Sequence, residues 1–220
     1  MKKKTIAAVL LCALFVVMAS GASAPTDTKK TDVETVLGTV QDDVYINEYF
    51  GLGFELPEDW VFFTDEELAS MMDLTNKLLE EKGLTGAMTE SMENGGAVTN
   101  MAAKEKSGIR NINMRLTPLP DKAMLQYPES DILTALSGTV EEMLEQAGYE
   151  NLKLSIGEVE FAGEKKPILY ITGEFFKIPL YQGELLLMKE DYYAVITVTS
   201  VSEEGLDEVI ARWFTLEPED

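Results

Sequence analysis

Residues 167–200 read PILYITGEFFKIPLYQGELLLMKEDYYAVITVTS, and the fold follows from how little separates the apolar runs in this stretch. Pro167–Phe176, Leu180–Met188 and Tyr192–Ser200 are rich in β-branched, leucine and aromatic residues, the composition of strands. Only short polar turns, around Lys177–Pro179 and Lys189–Asp191, lie between them. Turns that short cannot hold a crossover helix, so consecutive strands must run antiparallel. Upstream, Leu152, Leu154 and Ile156 alternate with polar residues, and after Gly157 the apolar phase moves to Val159 and Phe161, which predicts a bulge. Downstream, Ser202 opens a closing helix with Leu206, Val209, Ile210 and Trp213 inward.

The same reading extends toward the N-terminus. Val36–Val40 and Val44–Ile46 are short β-prone runs around a Gln41-Asp42-Asp43 turn. Leu52, Phe54 and Leu56 alternate, and Pro57-Glu58-Asp59 turns the chain into Trp60–Phe63. Thr64 stands three residues before Glu67, a capping box that starts a helix whose apolar face is Leu68, Met71, Met72, Thr75, Leu78 and Leu79, ended by Gly83. Residues 83–100 have little periodicity and read as a long loop. Met101–Lys104 and Ile109–Leu116 read as strands, and the prolines within 117–128 impose irregular chain. Glu129 or Ser130 caps a further helix with Ile132, Leu133, Leu136, Val140, Met143 and Leu144 on one side and Gly148 beyond its end. Three helices with one apolar stripe each cover a sheet; they do not form a bundle. The expectation is an α+β fold, an antiparallel sheet with helices packed on its faces.

Residues 1–24 have the form of a secretory signal: Lys2, Lys3 and Lys4, an apolar run from Ile6 to Met18, then small residues to Ala24. The run is too short for a permanent span, and Cys12 sits within it after Leu11, which fits a signal core and not a lipid anchor. Residues 25–35 are polar and aperiodic, a flexible linker, and 36–220 form one domain with no internal repeat. The expected location is outside the cytoplasm, at the cell envelope or secreted. Cleavage removes three lysines, taking the formal net charge from −21 to −24. Such a surface repels nucleic acid, whose binding depends on Lys and Arg displacing counterions.

Absences narrow the chemistry further. The chain has no histidine, and Cys12 is its one cysteine. Ser-His-Asp and Cys-His catalysis, His- or thiolate-ligated metals and disulfides in a processed chain are all excluded.

The segment Tyr45-Ile-Asn-Glu-Tyr-Phe-Gly-Leu-Gly-Phe-Glu-Leu-Pro-Glu-Asp-Trp60, with its Leu52–Trp60 signature, resembles the opening of PsbP-like domains. That resemblance implies a three-layer α/β/α sandwich around a central antiparallel sheet over about residues 36–217. The family includes an extrinsic subunit of photosystem II, a Ran-binding import factor and bacterial exported proteins. Most of its roles are binding or assembly, and no shared catalytic residue carries over. In physical terms the signature is scaffold: Pro57 ends a strand, Gly53 permits close approach and Trp60 buries a large apolar area.

Carboxylates are the abundant reactive groups. Asp65-Glu66-Glu67 and Glu203-Glu204 stand at helix starts, where negative charge is stabilising, and Glu141-Glu142 and Asp207-Glu208 lie on polar helix faces. Glu90-Ser91-Met92-Glu93-Asn94-Gly95 lacks the oxygen ladder of a calcium loop. Met88 and Met92 suit loop packing before partner contact or soft-metal ligation. Tyr45, Tyr49, Tyr192 and Tyr193 suit half-buried sheet positions or, alternatively, surface anchors for a partner. With no catalytic, cofactor or metal residue to assign, the expected function is an exported, non-enzymatic binding or assembly module contacting a protein or small ligand. The alternative is a carboxylate-dependent hydrolase, which requires two acids facing one cleft, at least one with a raised pKa.

Overall fold

A computed structural model describes residues 33–64, 66–67, 98–108 and 110–217. The secretory segment, the linker up to residue 32, the apolar helix face from Leu68 to Leu79, Met88, Met92 and the Glu90–Gly95 loop lie outside these residues. Thr64 does form its capping box: its hydroxyl accepts from Glu67 N–H at 3.2 Å, and its own N–H donates to Glu67 Oε2 at 3.1 Å.

In chain order, α1 (Val33–Val36) precedes β1 (Thr39–Gln41), β2 (Val44–Asn47), β3 (Leu52–Glu55) and β4 (Trp60–Phe62). β5 (Val98–Glu105) and β6 (Asn111–Pro118) come next, then a 3-10 turn and α2 (Glu129–Ala147). The meander is β7 (Glu150–Phe161), β8 (Glu164–Phe175), β9 (Ile178–Lys189) and β10 (Tyr192–Ser200). α3 (Glu203–Ile210) and β11 (Trp213–Thr215) close the chain. Ser202 caps α3, its hydroxyl accepting from Gly205 N–H at 3.1 Å.

The strands form two antiparallel sheets, one ordered β4-β5-β6-β10-β9-β8-β7 and one ordered β1-β2-β3-β11. The meander hairpins turn tightly, with left-handed φ at Ala162, Gly163, Phe176, Lys177 and Glu190, the geometry that matches strand twist. On one face of the large sheet, Ile112, Met114, Ile168, Leu185, Ile196 and Val198 share a core with Phe54 and Trp213 of the small sheet and with Leu206, Val209 and Ile210 of α3. On the other face, Leu169, Ile171, Leu186 and Tyr193 pack under Ile132, Leu133, Val140 and Leu144 of α2.

This arrangement overturns the three-layer α/β/α sandwich expected of a PsbP-like domain. One face of the large sheet carries a helix, whereas the other is covered mainly by a second sheet. The cause lies at the C-terminus. α3 stops at Ile210, so Trp213 belongs to a strand and not to the helix. β11 pairs with β3, placing Trp213 opposite Phe54 and Phe214 opposite Gly53. A Cβ on Gly53 would lie 2.2 Å from the Phe214 ring, so the missing side chain is what lets that ring settle. Trp213 then meets Phe54, Tyr45 and Phe161 with ring centroids 5.2, 6.2 and 5.4 Å away, joining the two sheets.

Two local expectations also change. Pro128 occupies the N-cap of α2 with no side-chain cap bond, which places Glu129 and Ser130 in the first turn. β7 has no bulge at Gly157: pairing with β8 is regular from Lys153 to Phe161, and the register shift falls between Glu150 and Lys153. The apolar phase change is nevertheless real. Leu152, Leu154 and Ile156 pack on the α2 side, while Val159 and Phe161 pack on the other, so β7 exchanges its covered face along its length.

Candidate functional site

β6, β10 and β9 are adjacent strands in the interior of the large sheet. Strict alternation gives each of them two sets of side chains, one per face. The set facing the small sheet is apolar; the opposite set is not. There Asn113 lies opposite Thr197, and Thr197 opposite Glu184. Two residues along, Asn111 lies opposite Thr199, and Thr199 opposite Gln182. Arg115 continues the same face of β6. All seven side chains are buried.

Most of these polar groups have no hydrogen-bond partner among the described residues. Both side-chain atoms of Asn111 and of Asn113, and the hydroxyls of Thr197 and Thr199, are closed off from solvent and lack a hydrogen-bond partner among the described residues. An unmade bond at a buried donor or acceptor typically costs about 1–3 kcal/mol, and native structures hold few of them. Other orphans among the described residues, Arg110 Nε and Trp213 Nε1, are not part of this array. Gln182 Nε2 donates to Glu184 Oε1 at 2.9 Å. Burial pushes the Glu184 carboxyl up to about 7 against the opposing effect of that bond. Arg115, held below the usual guanidinium range by burial, is already engaged in an interaction.

Glu184 also borders a small cavity of about 20 Å³ between α2 and the sheet, walled by Leu133, Leu136, Val140, Leu169, Leu186, Tyr193 and Val195. The apolar stripe of α2 holds the helix over this face. Gly148, at φ 96, ends it in a left-handed cap, and Tyr149 N–H bonds the Leu144 carbonyl at 3.0 Å. The site therefore has an apolar half under α2 and a polar half on β6, β10 and β9, meeting at Glu184.

None of the residues weighed from sequence belongs to this array, although Tyr193 walls the cavity. Tyr45, Tyr192 and Tyr193 are buried, so they are not surface anchors. Tyr45 accepts from Asn47 Nδ2 at 3.0 Å, and the partly buried Tyr49 donates to the Lys189 carbonyl at 2.7 Å. Glu141, Glu142, Glu203 and Glu204 are exposed, and Glu208 pairs with Arg110 at 2.9 Å. Among the described residues, Glu184 is the sole fully buried acid, so the facing pair that a hydrolase needs is not formed around it. The array was hidden because Asn-Ile-Asn and Thr-Val-Thr alternate like ordinary half-exposed strands. One signal was present: these positions carry neutral amides and hydroxyls, whereas the outward positions of β7 carry Lys153, Glu158 and Glu160.

No family model and no curated protein matches the chain. The PsbP-like resemblance therefore rests on its local stretch alone. Among solved structures, LpqN of Mycobacterium tuberculosis, involved in cell envelope biogenesis, is similar at 8% identity over 76% of this chain and 83% of LpqN, with a TM-score of 0.44. PA94 of Pseudomonas aeruginosa, a protein of unknown function, is similar at 12% identity over 44% of this chain, with a TM-score of 0.30. The match spans 63% of PA94, under two thirds of its length. Both TM-scores are too low for a shared fold or role to follow.

Proposed function

We propose that the chain is an exported, non-enzymatic binding module that takes a small ligand at the cell envelope. The observation that carries this reading is the array of four buried polar side chains, Asn111, Asn113, Thr197 and Thr199, without a hydrogen-bond partner among the described residues, next to Glu184, which borders an apolar cavity. Packing alone would favour valine or alanine at such positions, because burying an unbonded polar group is unfavourable. The basic start, apolar run and small-residue zone of residues 1–24 support export. No helix among the described residues is long and apolar enough to cross a membrane. The raised pKa of Glu184 meets one requirement of the hydrolase alternative, but a second facing acid is not found among the described residues.

Native mass spectrometry of the chain, purified without denaturant from its own host, tests the proposal. A small-molecule adduct that denaturation releases supports it. A bare chain that turns over a substrate sinks it.

A further inference from the structure

We infer that the fold carries a pH-sensitive seat for α2: the helix closes over Glu184 while that carboxyl is uncharged and opens more readily once it ionises. The device goes beyond the binding reading above and does not depend on it.

The geometry is that of an acid with no support for a charge. Glu184 is buried in mid-strand on β9, an interior strand of the large sheet. It shares the cavity under α2 with Leu133, Leu136 and Val140 of the helix and Leu169, Leu186 and Val195 of the sheet. Its neighbours in register are Leu169 and Thr197, and its bond comes from a neutral donor, the Gln182 amide. Among the described residues no cation reaches it, and burial outweighs that one bond, raising its pKa to about 7. Other ionisable groups on the surrounding elements are turned elsewhere. Arg115 of β6 lies opposite Val195 and interacts with the Tyr193 phenol. Lys166 of β8 pairs with Glu129 and Glu164, each at 3.8 Å. Asp131, Glu141, Glu142 and Glu145 of α2, and Lys153, Glu158 and Glu160 of β7, are exposed. Glu129, half-buried in the first turn of α2, is held above its ordinary value by burial despite Lys166, so it acts in the same direction from the end of the helix.

A carboxylate in that place needs water. The cavity of about 20 Å³ has room for about one molecule, too few to solvate a charge until α2 shifts outward. α2 is the element that can yield. It holds the sheet by one apolar stripe, follows the irregular chain after Pro118 and leaves through Gly148 at φ 96. Over the cavity it carries Thr134, Ser137, Gly138 and Thr139, all weak helix formers. The core on the opposite face of the sheet, built with Trp213 and α3, shares no residue with the α2 core and would keep the strands together while α2 opens. The sign follows from linkage. With α2 lifted, Glu184 returns toward its ordinary 4.5, so the closed state binds more protons, and its advantage is lost as pH rises from about 4.5 to 7.

Hydrogen–deuterium exchange of the full exported chain between pH 5 and pH 8, corrected for the intrinsic rate and read by mass spectrometry, tests the inference. Glu184→Gln serves as the permanently uncharged variant. The α2 amides of the parent should open about tenfold or more as often at pH 8 as at pH 5, and the variant's by less than about threefold, the remainder being Glu129. At pH 8 the α2 amides should also be about tenfold or more less protected than those of β6 and β10, because the helix opens without the sheet. Parent α2 protection that holds level or rises with pH overturns the inference, since Glu184 would then be charged and paired in the closed protein. A variant that opens as the parent does overturns it too, by removing Glu184 as the trigger. Equal protection in α2, β6 and β10 at every pH also overturns it, since the helix would then open only with the whole fold. Each of these results leaves the binding reading to the native mass experiment.

Discussion

Replacing Thr197 and Thr199 with valine separates a site maintained for binding from one maintained for packing. Both hydroxyls are buried on adjacent turns of the pleat in β10, and neither has a hydrogen-bond partner among the described residues. Valine has nearly the same shape and the same β-branching, so the change removes a polar atom with little change in volume. An unmade bond at a buried hydroxyl costs about 1–3 kcal/mol, and an apolar isostere recovers part of that cost. Taking the low end for each site, the double variant gains about 2 kcal/mol. In a domain of this size each kcal/mol moves Tm by about 2–4 °C, so the expected rise is about 4–8 °C. Calorimetric melting at pH 7 measures it, with urea unfolding at unchanged m-value as the check on two-state behaviour. Val198→Thr is the control, because Val198 is fully buried on the apolar face and its change should cost about 1–3 kcal/mol. A double variant that melts several degrees below the parent would show that the hydroxyls are bonded in the resting protein, and the case for a ligand site would fail.

Three further outcomes follow from the structure. The folded Glu184 carboxyl keeps its proton to about pH 7, whereas its ordinary value is 4.5. The folded state therefore binds more protons between those values, and Glu184 makes stability fall as pH rises from about 4.5 to 7, by about 3 kcal/mol in all. Glu184→Gln should abolish that decline and exceed the parent in stability at pH 8, as urea titrations at pH 5 and pH 8 would read. Gly138→Ala, in an exposed helix interior with open space, should stabilise the fold by about 0.5–1 kcal/mol, measured by thermal melting. Gly53→Ala drives a Cβ into the Phe214 ring, which is half-exposed and can swing into solvent, so the change should cost about 1 kcal/mol or less, seen as a small fall in Tm; a loss of several kcal/mol would mean that the ring is locked in place.

Elements set by local chemistry could be read from the sequence, and the faces they present could not. Tyr192–Ser200 is a strand with the expected bounds, Ser202 caps the last helix, Gly148 ends α2, and Thr64 and Glu67 form their reciprocal cap. Each rests on residues within a few positions of one another. The second sheet was not legible, because it joins Leu52–Glu55 to Trp213–Thr215 across most of the chain, and three-residue strands carry almost no periodic signal. Gly157 shows the intermediate case: the phase change is real, but alternation cannot distinguish a bulge from a strand whose cover switches sides.

The polar array is invisible in the sequence for a related reason. Alternation reports which half of a strand is polar, but only neighbours decide whether that half meets water. In the folded chain Asn111, Asn113, Thr197 and Thr199 are buried, at about 1–3 kcal/mol for each that is left without a partner. Four such side chains together cost about 4–12 kcal/mol, comparable with the whole stability of an ordinary domain. A fold so constructed has a free-energy incentive to admit a partner for them. A molecule that supplied those bonds would stabilise the folded state in proportion to its differential affinity. The same unsatisfied groups that weaken the empty protein would then supply the driving force and the selectivity for what it binds.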